Sequence, residues 1–343
     1  IVISLGMLTK YTMAFCVLAL VIGVLICRRD WLRSPWLWAA AFLSLLIISP
    51  NILWQINHQW ISLDFLSSIH ARDIRIGRTV SFLPAQFSDN HLALMIPLWI
   101  FGLWALFFNA RYKAYRIFAW MFVVTTIAFL ITQARAYYLA PAYPALLAAG
   151  SVWFETWLQN RSERLIAALK WSLIPLLVVN ILVMAFITLP LGDINGPFWQ
   201  ISSKVHDLFT EEIGWPEMAQ STASIYHQLS PAQQAKTGIF AGNYGEAGAI
   251  NIYGAQEGLP RVLSTTNSFW LYGYGNQPPE DLIILGLNRR QIEPLFERCE
   301  LAGQNGNPYG VKNEESNDHP DIYLCHGLKI SWEEFWRKFK NFG

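Results

Sequence analysis

Lys10 stands inside a run of apolar residues, and Arg135, Tyr137 and Tyr138 follow directly on another. Placing an ammonium in a membrane segment costs at least about 2.5 kcal/mol on insertion scales, so a lysine kept there either has a use or reaches out to the interface. Counting about 1.5 Å per residue back from Arg28, at one border of its run, puts Lys10 near the opposite face. Arg135 and the two tyrosines lie at about that level. A cation with phenolic donors at one membrane depth suits a phosphate carried on a lipid. The plainer alternative is that Lys10 snorkels.

A second group is Arg72, Arg75 and Arg78, in the stretch 55–90 between two apolar runs. Three arginines together at a membrane face suit an anion, and they equally suit pairing with Asp64, Asp73 and lipid head groups. Glu155 has Arg161 and Arg164 within reach and reads as structural. Gly242–Gly248 resembles a glycine-rich turn entering a helix, whose N–H groups can cradle a phosphate. It has neither GxGxxG nor GxxxxGK[ST] spacing, so a plain strand-to-helix turn is expected. Glu246 and Glu257, in and just after it, are expected to be solvated. The seven histidines are scattered and no Cys/His group has metal-ligand spacing, so no metal and no cofactor is expected, with any divalent-ion requirement left open.

The elements that must position these groups come in two kinds. Six apolar runs occupy residues 6–27, 35–54, 92–108, 117–132, 144–158 and 165–190, mostly near the roughly 20 residues a bilayer requires. The fifth is short. The chain is 53% hydrophobic and 14% charged with 16 Trp, against roughly 25% charged residues for an ordinary soluble domain. This reads as a polytopic α-helical membrane protein, residues 1–190, with a C-terminal soluble α/β domain, residues 191–343. A net charge of +1 argues against nucleic acid as a partner.

Cations beside the spans set the orientation, because basic loops stay cytoplasmic. Arg28, Arg29 and Arg33, then Arg111, Lys113 and Arg116, then Arg161, Arg164 and Lys170 fall at alternate gaps. Residues 55–90, residues 133–142 and everything after Leu191 are then non-cytoplasmic, with Arg72, Arg75 and Arg78 counting against a pure charge rule. In the C-terminal part, strands are predicted at 237–241, 261–264, 281–286 and 322–325, and helices near 215–229 and 289–298. Ser331 and Glu334 form a capping box before a last helix, and 303–320 reads as a loop. Cys16 and Cys27 read as packing residues. Cys299 and Cys325 would be free to form a disulfide in an oxidising compartment.

The sequence has no initiator Met and opens in an apolar run without the pattern of a signal peptide, so it is expected to be the C-terminal part of a longer protein. Residues 3–12 (ISLGMLTKYT), 50–60 (PNILWQINHQW) and 135–144 (RAYYLAPAYP) resemble, in order and spacing, the protein-mannosyltransferase-like membrane glycosyltransferases of family 39, with the GT-C fold. Residues 243–248 (NYGEAG) and 267–270 (NSFW) resemble its bacterial branch. The resemblance implies an enzyme moving a sugar from a polyprenyl-phosphate donor to an acceptor (protein, lipid or glycan) at the outer face of a bacterial inner membrane, among membrane lipids. It assigns Lys10, with Arg135 and Tyr138 in support, to the carrier phosphate, and makes Arg72, Arg75 and Arg78 candidates for a loop over the donor. The family's catalytic acidic residue lies in a first external loop expected upstream of Ile1, so no catalytic residue is assigned and this piece alone is expected to be inactive. A transporter or lipid flippase is the competing class, although no internal repeat is visible, and a membrane-anchored scaffold ranks behind both.

Overall fold

The computed structural model describes residues 1–88, 95–159, 161–205 and 208–343, so the ends of two expected segments, 89–90 and 92–94, lie outside the described residues. The chain divides into two compact units, Ile1–Asn180 and Ile181–Gly343.

The first unit is helical. Its elements are α1 (Val2–Thr9), α2 (Met13–Cys27), α3 (Pro35–Asn57), α4 (Ile61–Arg75), α5 (Phe82–Ser88), α6 (Met95–Phe108), α7 (Arg116–Ile131), α8 (Tyr143–Leu158) and α9 (Glu163–Thr188), which crosses the unit boundary. Among the described residues, three helical stretches are long and apolar enough to cross a membrane: Pro35–Asn57, Ala110–Ile131 and Glu163–Thr188, of 23, 22 and 26 residues. The first and third leave large side chains uncovered, as lipid-facing helices require, with Trp36 80% exposed and Trp171 83%, whereas the second buries Ile117, Phe122 and Phe129. The remaining apolar helices, α2, α6 and α8, have 15, 14 and 16 residues.

The first apolar run is not one helix. Lys10, Tyr11 and Thr12 interrupt it, and Lys10 is extended at φ −154° between α1 and α2. Short polar side chains compete for backbone groups and favour such a break. The break leaves Lys10 exposed.

Close packing of α6 on α8 depends on Gly102 and Gly150. A Cβ on Gly102 would lie 1.9 Å from the Leu146 carbonyl oxygen, and one on Gly150 equally near that of Leu98. With no side chain at either position the backbones meet directly, the usual way helices associate where no hydrophobic gain is available. Around this contact Phe82, Trp99, Phe122, Phe129, Tyr143 and Leu146 form the buried core of the unit.

The second unit is a small α/β domain. A four-stranded sheet has the order β1-β2-β4-β3, with β1 (Thr237–Ala241) parallel to β2 (Asp281–Leu285), and β4 (Asp321–Leu328) antiparallel to both β2 and β3 (Phe296–Gln304). Alternate residues go to opposite faces. Ile239, Ile283, Leu285 and Ile322 pack with Met218 and Ile250 of helices Trp215–Gln228 and Tyr244–Ile252. Phe240, Leu282, Ile284 and Tyr323 pack with Phe335 and Trp336 of helix Trp332–Lys338. Three of the four expected strands form; the fourth, 261–264, contributes one isolated bridge, Phe240 to Leu263.

The helix expected over 289–298 stops early. Arg289–Ile292 is helical, Pro294 falls in a 3₁₀ turn, and the chain becomes β3. That change of course brings Cys299 opposite Cys325 on β4, where they form a disulfide. Within the expected loop 303–320, Glu314–Asp318 is a short helix.

Glu257 is exposed, but the surface position expected for Glu246 is overturned, because Glu246 is fully buried. The turn after β1 is a strand-to-helix connection closed by a capping box. Asn243 Oδ1 accepts from the Glu246 N–H at 2.8 Å, and Glu246 Oε2 accepts from the Asn243 N–H at 3.3 Å. The reciprocal bond turns the carboxyl inward. Asn243 Nδ2 also donates to Glu315 Oε1 at 3.2 Å. Burial first, and then the charge of Glu315, push the Glu246 pKa up to about 8.

Two outcomes follow for this unit. Glu246 binds its proton more tightly folded than unfolded, so stability falls as pH rises from about 4.5 to about 8 and is flat above. The protection of β1 and β2 amides, their exchange rate relative to the intrinsic rate at each pH, should fall over that window, and Glu246→Gln should remove the slope. The disulfide closes a 26-residue separation. Changing both Cys299 and Cys325 to Ser should therefore lower stability by about 3 kcal/mol, read as the denaturant midpoint of the sheet.

Candidate functional site

In the first unit the structure gathers Lys10, Tyr137 and Tyr138 and, behind them, Arg135, Asp73 and Arg72. Lys10 Nζ lies 4.5 Å from the centre of the Tyr138 ring and 5.2 Å from that of Tyr137. The two rings meet edge to face at 4.7 Å. Tyr138 is backed by Phe129, which packs on Phe15 of α2 and Phe82 of α5. The structure thus brings Lys10 and the two tyrosines together as a cation over two aromatic faces.

The tyrosines lie on a 3₁₀ turn, Ala136–Ala142, between α7 and α8. Proline at 141 and 144 keeps this stretch out of a regular helix. Gln86 of α5 fixes the turn, donating to the Phe82 carbonyl at 2.8 Å and the Ala136 carbonyl at 3.1 Å while accepting from the Tyr143 hydroxyl at 2.9 Å. Arg135 enters the turn and reaches back to α4, where Nε and Nη2 donate to Asp73 Oδ2 and Oδ1 at 2.5 and 2.8 Å. Asp73 is 4% exposed. Arg72 stands 3.8 Å from the same carboxylate, and its buried Nε has no partner among the described residues.

The titrations follow from this arrangement. Burial raises the Asp73 pKa, but the Arg135 hydrogen bonds and charge, with Arg72 and Arg78, more than offset it and hold the carboxyl below its ordinary value. Asp73 is ionised. The Asp73 hydrogen bond raises Arg135 well above its ordinary value against the cost of burial. Tyr138 is pushed up to about 12, first by burial and then by donating to Tyr137. Tyr137 moves the other way: burial raises it, but hydrogen bonds from Tyr138 and Arg135 and the charge of Lys10 more than offset the rise. Tyr138 is the lasting donor of the pair.

The other expected residues divide. Arg75 and Arg78 are exposed, and the Arg78 N–H donates to the Asp73 carbonyl at 3.0 Å. Asp64 is exposed. Near Lys10, Tyr11 donates to Asn51 Oδ1 at 3.2 Å, and buried Gln55 donates to Tyr11 and to Ser62 at 2.7 and 2.6 Å, tying the α1–α2 break to α3 and α4. Among the described residues no group of three His, Cys, Asp or Glu is placed to hold a metal ion.

What sequence reasoning missed is the partnership of Asp73 with Arg135, 62 residues away, and the anchoring role of Gln86. A charge in the last turn of an amphipathic helix carries no local sign of so distant a partner. Chemically, the site offers one exposed ammonium, phenolic hydroxyls beside it and a guanidinium with a free donor, a set suited to an oxyanion.

No curated protein and no solved structure matches the chain. Residues 1–54 match the model of a family described as dolichyl-phosphate-mannose-protein mannosyltransferase. That stretch contains Lys10, the break around it, and Asn51, so the part of the chain that sets the exposed cation is similar to a family of membrane glycosyltransferases.

Proposed function

We propose that this chain is part of a membrane glycosyltransferase that moves a sugar from a polyprenyl-phosphate carrier to an acceptor at the outer face of the membrane. The observation that carries the reading is Lys10, an exposed ammonium at a helix break inside the matched stretch, lying over Tyr137 and Tyr138. In this reading Lys10 faces the carrier phosphate, with Tyr138 and Arg135 in support, and the loop of Arg72, Arg75 and Arg78 closes over the donor.

The chemistry is a displacement at the anomeric carbon. The acceptor hydroxyl oxygen forms the new bond to that carbon, the bond from carbon to phosphate oxygen breaks, and the lipid phosphate leaves with the electron pair. A carboxylate takes the hydroxyl proton as general base. Lys10 and the Tyr138 hydroxyl act on the leaving group, where negative charge grows as the bond breaks.

The proposed setting is a bacterial inner membrane crossed several times, with the C-terminal unit outside the cytoplasm. Alternate basic gaps support that orientation. The Cys299–Cys325 disulfide supports it independently, since such bonds persist in oxidising compartments. The C-terminal unit then stands on the side where acceptor is met.

Transfer of labelled mannose from a polyprenyl-phosphate carrier, measured in membranes containing the full-length protein, tests the activity. Lys10→Ala should lower the rate roughly a hundredfold, the scale of removing one stabilising donor from a developing oxyanion, and an unchanged rate would remove Lys10 from the site. Orientation is tested with a membrane-impermeant maleimide on intact cells. Exposed Ser224→Cys should label and exposed Ala114→Cys should not; the reverse pattern inverts the topology.

A further inference from the structure

Arg135 has the right chemistry to hold a phosphate, yet its fork is already engaged. Nε and one terminal nitrogen both donate to Asp73, the geometry a guanidinium uses for two-pronged recognition of a single oxyanion. The guanidinium spends its side edge on Asp73 and is also hydrogen-bonded to the Tyr137 hydroxyl, so its bonds join α4 to the turn that carries the tyrosines. The carboxylate is also committed: it is almost wholly buried, ionised, and has Arg72 at 3.8 Å as a second cation.

The bond has a mechanical consequence. Asp73 sits in the last turn of α4, and Arg135 is the residue on which the Ala136–Ala142 turn begins. Joining them fixes the entry of that turn, and Gln86 fixes its next residue through the Ala136 carbonyl. Tyr137 and Tyr138 follow at once. Their rings have the 5.2 and 4.5 Å distances to Lys10 only while the turn keeps this course.

We propose that Asp73 is the positioning residue of this site: by holding Arg135 it sets the Ala136–Ala142 turn so that Tyr138 and Lys10 face the same phosphate, and Arg135 acts as an anchor. The inference rests on the carrier-phosphate reading above. The contrary arrangement has Arg135 bind the phosphate itself, with Asp73 as a competing anion. The two differ in sign. Removing the Asp73 charge weakens phosphate binding if Asp73 positions the turn, and strengthens it if Asp73 competes.

The experiment is titration calorimetry of farnesyl phosphate into the full-length protein in detergent micelles, giving the affinity of the folded fraction directly. Asp73→Asn should weaken binding roughly ten- to hundredfold, the scale of a small misplacement of binding groups, and Asp73→Glu should recover most of the loss. Arg135→Lys keeps the cation but not the planar fork and should weaken binding in the same sense, which keeps the test open if Asp73→Asn does not fold. Binding by either Asp73→Asn or Arg135→Lys that equals or exceeds that of the unaltered protein overturns the inference. Lys10→Ala should weaken binding at least as much. If the unaltered protein does not bind farnesyl phosphate, or Lys10→Ala binds as well, the carrier-phosphate reading itself fails and the role of Asp73 falls with it.

Discussion

The Asp73–Arg135 ion pair is the constraint on which the candidate site depends. Its ends lie in the last turn of α4 and at the start of a 3₁₀ turn, which this pair and the Gln86 bond to Ala136 hold in register. Removing a carboxylate and a guanidinium from water costs several kcal/mol each, and only good geometry with extra hydrogen bonds recovers that cost. Here both carboxylate oxygens accept from Arg135 and the neighbouring cation Arg72 adds to the balance. Such a pair contributes little net stability but makes alternative arrangements costly, since either partner alone would be a nearly buried, uncompensated charge. Definition of the turn is therefore its main effect.

Below that pair the scaffold is aromatic and tight. Gly102 and Gly150 let α6 and α8 touch along their backbones, which brings Trp99 against Tyr143 and Phe122 at centroid distances of 5.5 and 6.0 Å. Phe129 continues the layer to Tyr138. The tyrosines accordingly rest on a packed surface, and Lys10 rests on the tyrosines. A cation over an aromatic ring gains about 0.5–1 kcal/mol at an exposed site, whereas a charge-assisted hydrogen bond gains about 1.5–3 kcal/mol. An arriving oxyanion outcompetes the rings for the ammonium, so they hold Lys10 in place without spending its charge.

Residue types out of place were legible in the sequence. Lys10 in an apolar run and the Arg-Ala-Tyr-Tyr segment beyond another are conspicuous because their chemistry disagrees with their surroundings, and the structure brings them together. The apolar runs were legible as helices for the same reason, although the length of each was not, since the break at Lys10 depends on tertiary partners such as Asn51 and Gln55. Asp73 was not legible as the partner of Arg135, because a carboxylate among three nearby arginines looks locally satisfied. Glu246 misled in the opposite direction. A glutamate in a glycine-rich turn reads as solvated, while the reciprocal bond with Asn243 closes it under the first turn of a helix. The strand Phe296–Gln304 was hidden by a good helix-starting sequence that Pro294 cuts short.

Charge balance gives the last step. Lys10 lies over Tyr138 while Arg72 and Arg135 flank Asp73, and Asp73 is the one carboxylate paired with these three cations among the described residues. Two positive charges are left over. In water such an excess is screened within about 8 Å at physiological salt, but beside hydrocarbon the screening weakens and unpaired cations become costly. A site built this way is more stable with an anion in it. In the proposed reading a lipid-carrier phosphate would meet that need, and as leaving group it would gain negative charge during transfer, so the same excess would favour the transition state over the bound donor. The asymmetry between one carboxylate and three cations thus links the stability of the empty site to the direction in which it would assist the chemistry.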